Sequence, residues 1–154
     1  MKFEWIPTLD SLNVNYIVLM DEKRHWWHSC YDEVIALLEP YKPTCIGTSM
    51  GGYGALMFAE QLGTKAVAFA PQVVISASGK DKLRDDRWKD MHKVVYEVAT
   101  HPLDLTCSGE NYQIHYCQGF PLDKAHAELL DVKRVEHPCT THHVARCVDL
   151  QKIL

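Results

Sequence analysis

The chain has 154 residues, of which 47% are hydrophobic and 23% charged, and its formal net charge is −4. This size and composition predict one globular domain over residues 1–154, with enough apolar side chains to build a core. The negative charge, without any run of Lys or Arg, argues against a nucleic-acid-binding surface, and no apolar stretch reaches the roughly 20 residues that span a membrane.

The N-terminal residues and the cysteines both indicate a cytoplasmic protein. The stretch "MKFEWIPTLD" lacks the basic start and long apolar run of a signal peptide. Because disulfides are rare in the cytoplasm and no two cysteines form a C-x-x-C pair, we expect six reduced thiols. These cysteines are Cys30, Cys45, Cys107, Cys117, Cys139 and Cys147.

Predicted strands and helices alternate along the chain. The strand segments are short apolar runs, and they do not alternate between apolar and polar residues. This pattern is typical of a parallel sheet covered on both faces, so the expected fold is α/β, a three-layer α/β/α sandwich with a mostly parallel sheet. The predicted strands are "VNYIVLM" (Val14 to Met20), "TCIG", "KAVAFAP", "YQIHYC" and "KRVEH".

Two further segments complete the prediction. The charge-dense stretch "DKLRDDRWKD" (Asp81 to Asp90) is interpreted as a solvated helix face with i,i+4 charge pairs. The alternative is a small lid over a site, with Trp88 as its apolar anchor. The last stretch, "HHVARCVDLQKIL", predicts a closing helix.

The pentapeptide from Gly47 to Gly51 fits G-x-S-x-G, with a predicted strand before it and a predicted helix after it. In that setting the serine lies on a strained strand-to-helix turn, and glycines are required because larger side chains would clash there. We therefore interpret Ser49 as a nucleophile, and the N–H of Met50 as a donor to a developing oxyanion. The alternative is a plain glycine-rich turn.

A serine nucleophile needs a base, and the base needs an acid that orients it. After the strand-to-helix turn that carries the serine, we expect first the acid and then the histidine, each following a later strand. Asp123 follows "YQIHYC", and His142 and His143 follow "KRVEH". Asp104 is the rival acid, although it precedes "YQIHYC" and therefore ranks second.

These stretches resemble the α/β-hydrolase superfamily, and in particular its small serine hydrolases and esterases that lack a cap domain. The resemblance is carried by "IGTSMGGYGALMFA", "AFAPQ", "HYCQGFPLDKAHAELL" and "THHVARCVDLQKIL". It implies a minimal α/β-hydrolase-like domain with Ser49 as nucleophile, Asp123 as acid and His142 as base. Met50 would supply one oxyanion donor, and no cofactor is implied.

The N-terminal part departs from that family. Members carry an earlier strand that ends in a Gly-rich oxyanion loop, and the stretch before "NYIVLM" shows none. The second oxyanion donor therefore has no candidate, and "MKFEW" is one segment that could add a short strand. Because an unpaired sheet edge is a liability, we also expect a homodimer.

Two other groups of residues are candidates for function. Trp26 and Trp27 follow the first predicted strand, where they could line a substrate pocket, although core packing is the alternative. The histidines and cysteines of "RHWWHSC" and "HPCTTHH" could ligate a metal, but their spacing matches no known zinc pattern.

The sequence therefore leads to three hypotheses of function. The first is a serine hydrolase that cleaves a small-molecule ester or thioester through an acyl-serine intermediate. The second is a weak or inactive binding module on the same fold. The third is a metal-binding protein that uses the C-terminal His/Cys cluster.

Overall fold

The computed structural model describes residues 5–153, which contain a parallel sheet of four strands. Neighbouring strands in the sheet are also consecutive in the chain, and each of the three pairs is parallel. The predicted α/β class with a parallel sheet is confirmed. The strands are β1 Cys45–Thr48, β2 Ala66–Phe69, β3 Gly109–Cys117 and β4 Val132–His137.

Helices connect each strand to the next, as parallel pairing requires. The α-helices are α1 Ile6–Ser11, α2 Tyr31–Leu38, α3 Met50–Leu62, α4 Ala77–Leu83, α5 Lys89–Val98 and α6 Pro121–Glu128. Short 3₁₀ helices cover His28–Cys30, Val144–Cys147 and Leu150–Lys152. Helix α3 connects β1 to β2, α4 and α5 connect β2 to β3, and α6 connects β3 to β4.

Apolar clusters on the two faces of the sheet give the three layers. Along β2, Ala66 and Ala68 belong to the larger cluster, which also includes side chains of α2 and α3. Phe69, which points to the opposite face because side chains alternate along a strand, belongs to the smaller cluster with Val144 and Leu150. The second face is therefore covered mainly by the C-terminal 3₁₀ helices.

The predicted strand from Val14 to Met20 is wrong. The segment has no assigned secondary structure, and Val14, Ile17 and Met20 are each more than 40% exposed. Within residues 5–153, β1 pairs only with β2, so the other edge of β1 has no strand beside it. The apolar composition of this segment could not show that it lacks a strand to pair with.

The N- and C-terminal predictions have separate outcomes. The expected closing helix is wrong, because the last segment forms two 3₁₀ helices and no α-helix. Helix α1 is present within "FEWIPTLDSL". The strand proposed for "MKFEW" falls almost entirely on residues 1–4, outside the described residues.

The expectation of six reduced thiols is also wrong. Cys117 at the end of β3 forms a disulfide with Cys139, which lies just beyond β4. No sequence pattern indicates this pair, because 22 residues separate the two cysteines and strand pairing brings them together. Cys30, Cys45, Cys107 and Cys147 are free thiols.

The charge-dense segment is not one solvated helix face. It contains the end of α4, a loop and the start of α5, and Asp85 in the loop is only 2% exposed. Lys80 in α4 is likewise buried. Trp88 is 49% exposed, so it is not an apolar anchor.

Across residues 5–153, none of the helices has the length and hydropathy needed to cross a membrane.

Candidate active site

Ser49 occupies the corner between β1 and α3 in a strained backbone conformation, with φ 54° and ψ −117°. Its N–H donates to the carbonyl of Phe69 at 2.8 Å, which fixes the corner to the end of β2. A Cβ on Gly47 would lie 2.0 Å from the carbonyl oxygen of Gly51. Only glycine therefore fits at position 47, and the corner presents the Ser49 side chain at the carboxyl end of the sheet.

The structure brings Ser49, His142 and Asp123 into one hydrogen-bonded chain, called the trio below. The Nε2 of His142 lies 3.0 Å from the Oγ of Ser49, and its Nδ1 lies 2.6 Å from the Oδ2 of Asp123. With the proton on Nδ1, the ring donates to the carboxylate and accepts from the serine hydroxyl. This is the geometry of a nucleophile, a base and an orienting acid.

Each member of the trio comes from a different segment beyond a strand. Asp123 lies in the first turn of α6, which follows β3, and His142 lies in the loop after β4. The side chain of Asp123 is fully buried, whereas that of His142 remains 22% exposed. The Phe120 ring packs 5.5 Å from the His142 ring. The acid is thus shielded from water while the base stays accessible.

Met50 begins α3, immediately after Ser49. The first N–H groups of a helix have no acceptor within the helix, so the N–H of Met50 is available to an anion at this corner. The N–H of Ser49 is not available, because it bonds to Phe69. In the described part of the chain no residue is assigned as a second oxyanion donor.

Arg87 is a member of the site that the sequence did not predict. Its Nη1 donates to the Oδ1 of Asp123 at 2.7 Å, on the opposite oxygen from His142. Its Nε and Nη2 donate to Asp85, with Nη2 2.8 Å from Oδ2. The guanidinium therefore lies between two fully buried carboxylates.

Asp85 is held by donors from three directions. Besides Arg87, the Nε2 of His126 in α6 lies 2.8 Å from Oδ2, and the Nε2 of Gln72 donates to the same oxygen at 3.0 Å. Burial would raise the pKa of Asp85, but the hydrogen bonds from His126, Arg87 and Gln72 hold that pKa well below its usual range. Asp85 is therefore ionised at neutral pH.

The alternate acid and base have other surroundings. Asp104 accepts from the backbone N–H groups of Ile75 and Ser76 and from the Ser76 hydroxyl. These bonds satisfy Asp104 as a cap for the segment before α4. His143 is exposed, and its ring lies 6.2 Å from that of His142. The hydrogen-bonded chain to Ser49 contains neither residue.

Trp26 and Trp27, predicted as pocket candidates, are 2% and 7% exposed. The Trp27 indole N–H donates to the carbonyl of Met50, and its ring lies where a Cβ on Gly54 would be. Trp26 packs edge-on against His92. Both indoles pack in the core, so their role as pocket residues stays a prediction that burial does not support.

Three of the residues considered as metal ligands in "HPCTTHH" are engaged in other contacts. The Nε2 of His137 lies 2.8 Å from the Nδ1 of His115, Cys139 is in the disulfide, and His142 belongs to the trio. Among the described residues, the sulfur atoms of Cys117, Cys139 and Cys147 lie within 4.8 Å of one another. Two of these sulfurs are bonded to each other, so the set does not fit a metal ion in this state.

Comparison with known proteins gives one match. The model of a family described as "Uncharacterised protein family (UPF0227)" matches residues 9–137, which is most of the chain. The matched region includes Ser49 and Asp123 and ends five residues before His142. No curated protein and no solved structure gives a significant match.

Proposed function

The chain belongs to the uncharacterised protein family UPF0227, and we propose that it is a serine hydrolase of the α/β-hydrolase type. The substrate is a small carboxylic ester or thioester, which is cleaved through an acyl-serine intermediate. The observation that carries this proposal is the chain of hydrogen bonds from Ser49 through His142 to Asp123, at 3.0 and 2.6 Å, on a strained strand-to-helix corner.

The geometry supports a two-step reaction. The Oγ of Ser49 attacks the carbonyl carbon while its proton passes to the Nε2 of His142, and the N–H of Met50 stabilises the oxyanion. His142 then gives the proton to the leaving alcohol or thiol as the acyl-serine forms. A water molecule attacks the acyl-serine by the same route, and the acid and free serine are released. Asp123 holds the imidazole in the required tautomer throughout.

Labelling with a fluorophosphonate probe tests the proposal, because the probe reacts with serines activated by a base. The wild type should be labelled, and Ser49→Ala should not. Ser11→Ala removes an exposed hydroxyl that donates to the carbonyl of Thr8 and accepts from the Nε2 of Gln151, and it serves as the matched control. Equal labelling of wild type and Ser49→Ala, or no labelling of either, would contradict the proposal.

A non-catalytic binding module on the same fold is the second candidate. It is favoured by the oxyanion site, where Met50 is the one donor assigned among residues 5–153 and loss of a donor costs about 100- to 1,000-fold in rate. Hydrolysis of short-chain p-nitrophenyl esters separates the two. Turnover that disappears in Ser49→Ala supports the hydrolase, and a correctly folded wild type without turnover supports the binding module.

A further inference from the structure

The buried carboxylate of Asp123 has a hydrogen-bonding partner on each of its two oxygens. Oδ2 faces the Nδ1 of His142, and Oδ1 accepts from the Nη1 of Arg87. A carboxylate without exposed surface needs such partners, because burial otherwise favours its neutral form. The bond to Arg87 satisfies the oxygen that His142 does not use and so fixes the rotation of the carboxylate.

Arg87 is itself fixed by contacts within its own loop. Its N–H donates to the Oδ1 of Asp85 at 2.9 Å, while its guanidinium bonds the same side chain through Nε and Nη2. Its carbonyl accepts from the Nζ of Lys80. Burial would lower the pKa of Arg87, but the hydrogen bonds to Asp85 and Asp123 raise it, so the group stays charged. These contacts therefore hold the guanidinium of Arg87 in place against the carboxylate of Asp123.

We propose that Arg87 and Asp85 are positioning residues for the trio: Arg87 orients the Asp123 carboxylate, and Asp85 offsets the charge of Arg87. The inference rests on the proposed function. Without Asp85, the guanidinium would neutralise Asp123 and weaken its stabilisation of the imidazolium that forms during catalysis. With both carboxylates ionised around one guanidinium, a net negative charge remains beside His142.

The other groups around these side chains define the electrostatic surroundings. His142 faces Ser49, Asp123 and the neighbouring ring of His143. Asp85 faces His126 and Gln72, and Lys80 and His92 lie close enough to interact with it electrostatically. The Phe120 ring lies near both Arg87 and His142, with the guanidinium carbon 5.6 Å and the His142 ring 5.5 Å from its centroid.

The test measures the pH titration of the His142 imidazole by NMR in the full chain, with His142→Gln identifying its signal. Arg87→Met removes a positive charge, so proton binding by the His142–Asp123 pair becomes more favourable and the midpoint should rise by about one pH unit. Asp85→Asn removes a negative charge, so the midpoint should fall by about half a unit. If the two effects add, the midpoint of the double variant should lie between those of the single variants, about half a unit above the wild type.

Two exposed neighbours provide matched controls. Arg84→Met and Asp86→Asn make the same chemical changes within three residues of the proposed pair, at side chains that lie on the surface. They should leave the midpoint unchanged. Shifts of the same sign in Arg87→Met and Asp85→Asn, or no shift in either, would overturn the proposal, because a purely structural role gives no reason for opposite signs.

Arg87→Lys separates charge from orientation and remains informative if Arg87→Met does not fold. The ammonium keeps the charge, so the midpoint should stay near that of the wild type. It cannot bond both carboxylates as a planar fork does, so fluorophosphonate labelling should be about tenfold or more slower. A Lys variant that labels at the wild-type rate would contradict the orienting role.

The two proposals fail in different ways. If the wild type is not labelled but the midpoints move in opposite directions, the proposed hydrolase is wrong and the electrostatic arrangement stands. If the wild type is labelled and the midpoints do not move, the hydrolase stands and the role of Arg87 and Asp85 is wrong.

Discussion

At the scale of single residues, the conformation of Ser49 depends on glycine at position 47, which has no side chain to block the corner. Ser49 has a positive φ that costs of order 1–3 kcal/mol for a residue other than glycine. That conformation is possible because Gly47 lets the backbone of Gly51 approach closely. The strained backbone of Ser49 therefore requires a residue without a side chain at position 47.

Gly47→Ala should lower the stability of the protein markedly. The new methyl would lie 2.0 Å from the Gly51 carbonyl oxygen, and this backbone atom cannot rotate away as a side chain can. We expect a loss of about 3 kcal/mol in the free energy of unfolding, measured by urea denaturation. Fluorophosphonate labelling should fall as well, because the corner must shift.

Gly51→Ala is the matched control. A Cβ there meets nothing within 4 Å, and the residue lies in the first turn of α3. Alanine should stabilise the helix by about 0.5–1 kcal/mol. Equal destabilisation by both substitutions would show that space at Gly47 is not the cause.

The trio could be predicted from the sequence, but the neighbouring pair of Arg87 and Asp85 could not. Ser49, Asp123 and a histidine at position 142 or 143 could be predicted from their order after the strands, the resemblance favoured His142, and the structure brings Ser49, Asp123 and His142 together. Arg87 and Asp85 lie in a segment where charge is dense, and charge density usually means solvent exposure. Their burial depends on contacts with α6, which no local pattern encodes.

At the scale of elements, strand prediction succeeded where each strand has a partner. The apolar run from Val14 to Met20 resembles the other four by composition, yet it lies outside the sheet. Pairing depends on neighbours distant in sequence, so hydrophobicity alone cannot predict it. The same limit hid the disulfide, whose cysteines become neighbours only when β3 and β4 pair.

The disulfide should contribute substantially to stability, because it connects β3 to the loop that leads to His142. It closes a separation of 22 residues, for which the chain-entropy argument gives about 3 kcal/mol. Adding a reductant, or replacing Cys117 and Cys139 with serine, should lower the melting temperature and slow probe labelling. Reductant should have no further effect on the double variant, and an unchanged wild-type melting temperature in reductant would contradict this prediction.

Within residues 5–153 one edge of β1 has no strand beside it, and this edge together with the exposed apolar segment favours self-association. We propose a homodimer that covers this region, with Ile17, which is 46% exposed, within the contact. Light scattering after size exclusion should give a dimer for the wild type and a monomer for Ile17→Lys. Leu129→Lys is the control, because it changes a side chain that is 51% exposed and lies at the end of α6. A monomeric wild type at high concentration would refute the proposal.

At the scale of the whole molecule, buried histidines make stability depend on pH. Burial lowers the pKa of His28, His92 and His115 to about 4, helped by the neighbouring His101, Lys80 and His137 respectively. The unfolded chain therefore binds protons between about pH 6.5 and 4 that the folded chain does not bind. The free energy of unfolding should fall as the pH is lowered through this window.

Urea denaturation between pH 7 and pH 4.5 measures this dependence. His92→Gln cannot be protonated, so its stability should fall less than that of the wild type over the same interval, whatever its stability at pH 7. His143→Gln, which removes an exposed imidazole, should keep the wild-type slope. An unchanged slope in His92→Gln would show that this histidine does not carry the effect.

The parallel sheet could be predicted from the sequence more accurately than the layers that cover it. Five predicted strands alternating with helices led to the parallel α/β class, and four of those strands form the sheet. The last stretch was predicted as a closing helix, but it forms short 3₁₀ helices that contribute Val144 and Leu150 to the core. Such short turns are decided by packing against the sheet, which a helical pattern in sequence does not report.

The bond between Cys117 and Cys139 also determines how the protein would respond to a break in its backbone. Lys133 and Arg134 in β4 are exposed and lie inside the covalent loop that this bond closes. A protease that cuts there would leave Ser49 and Asp123 on one fragment and His142 on the other, with the two fragments still joined through sulfur. The nicked protein would migrate as one species on a non-reducing gel and as two on a reducing gel, and the parts of the trio would separate only when the disulfide is reduced.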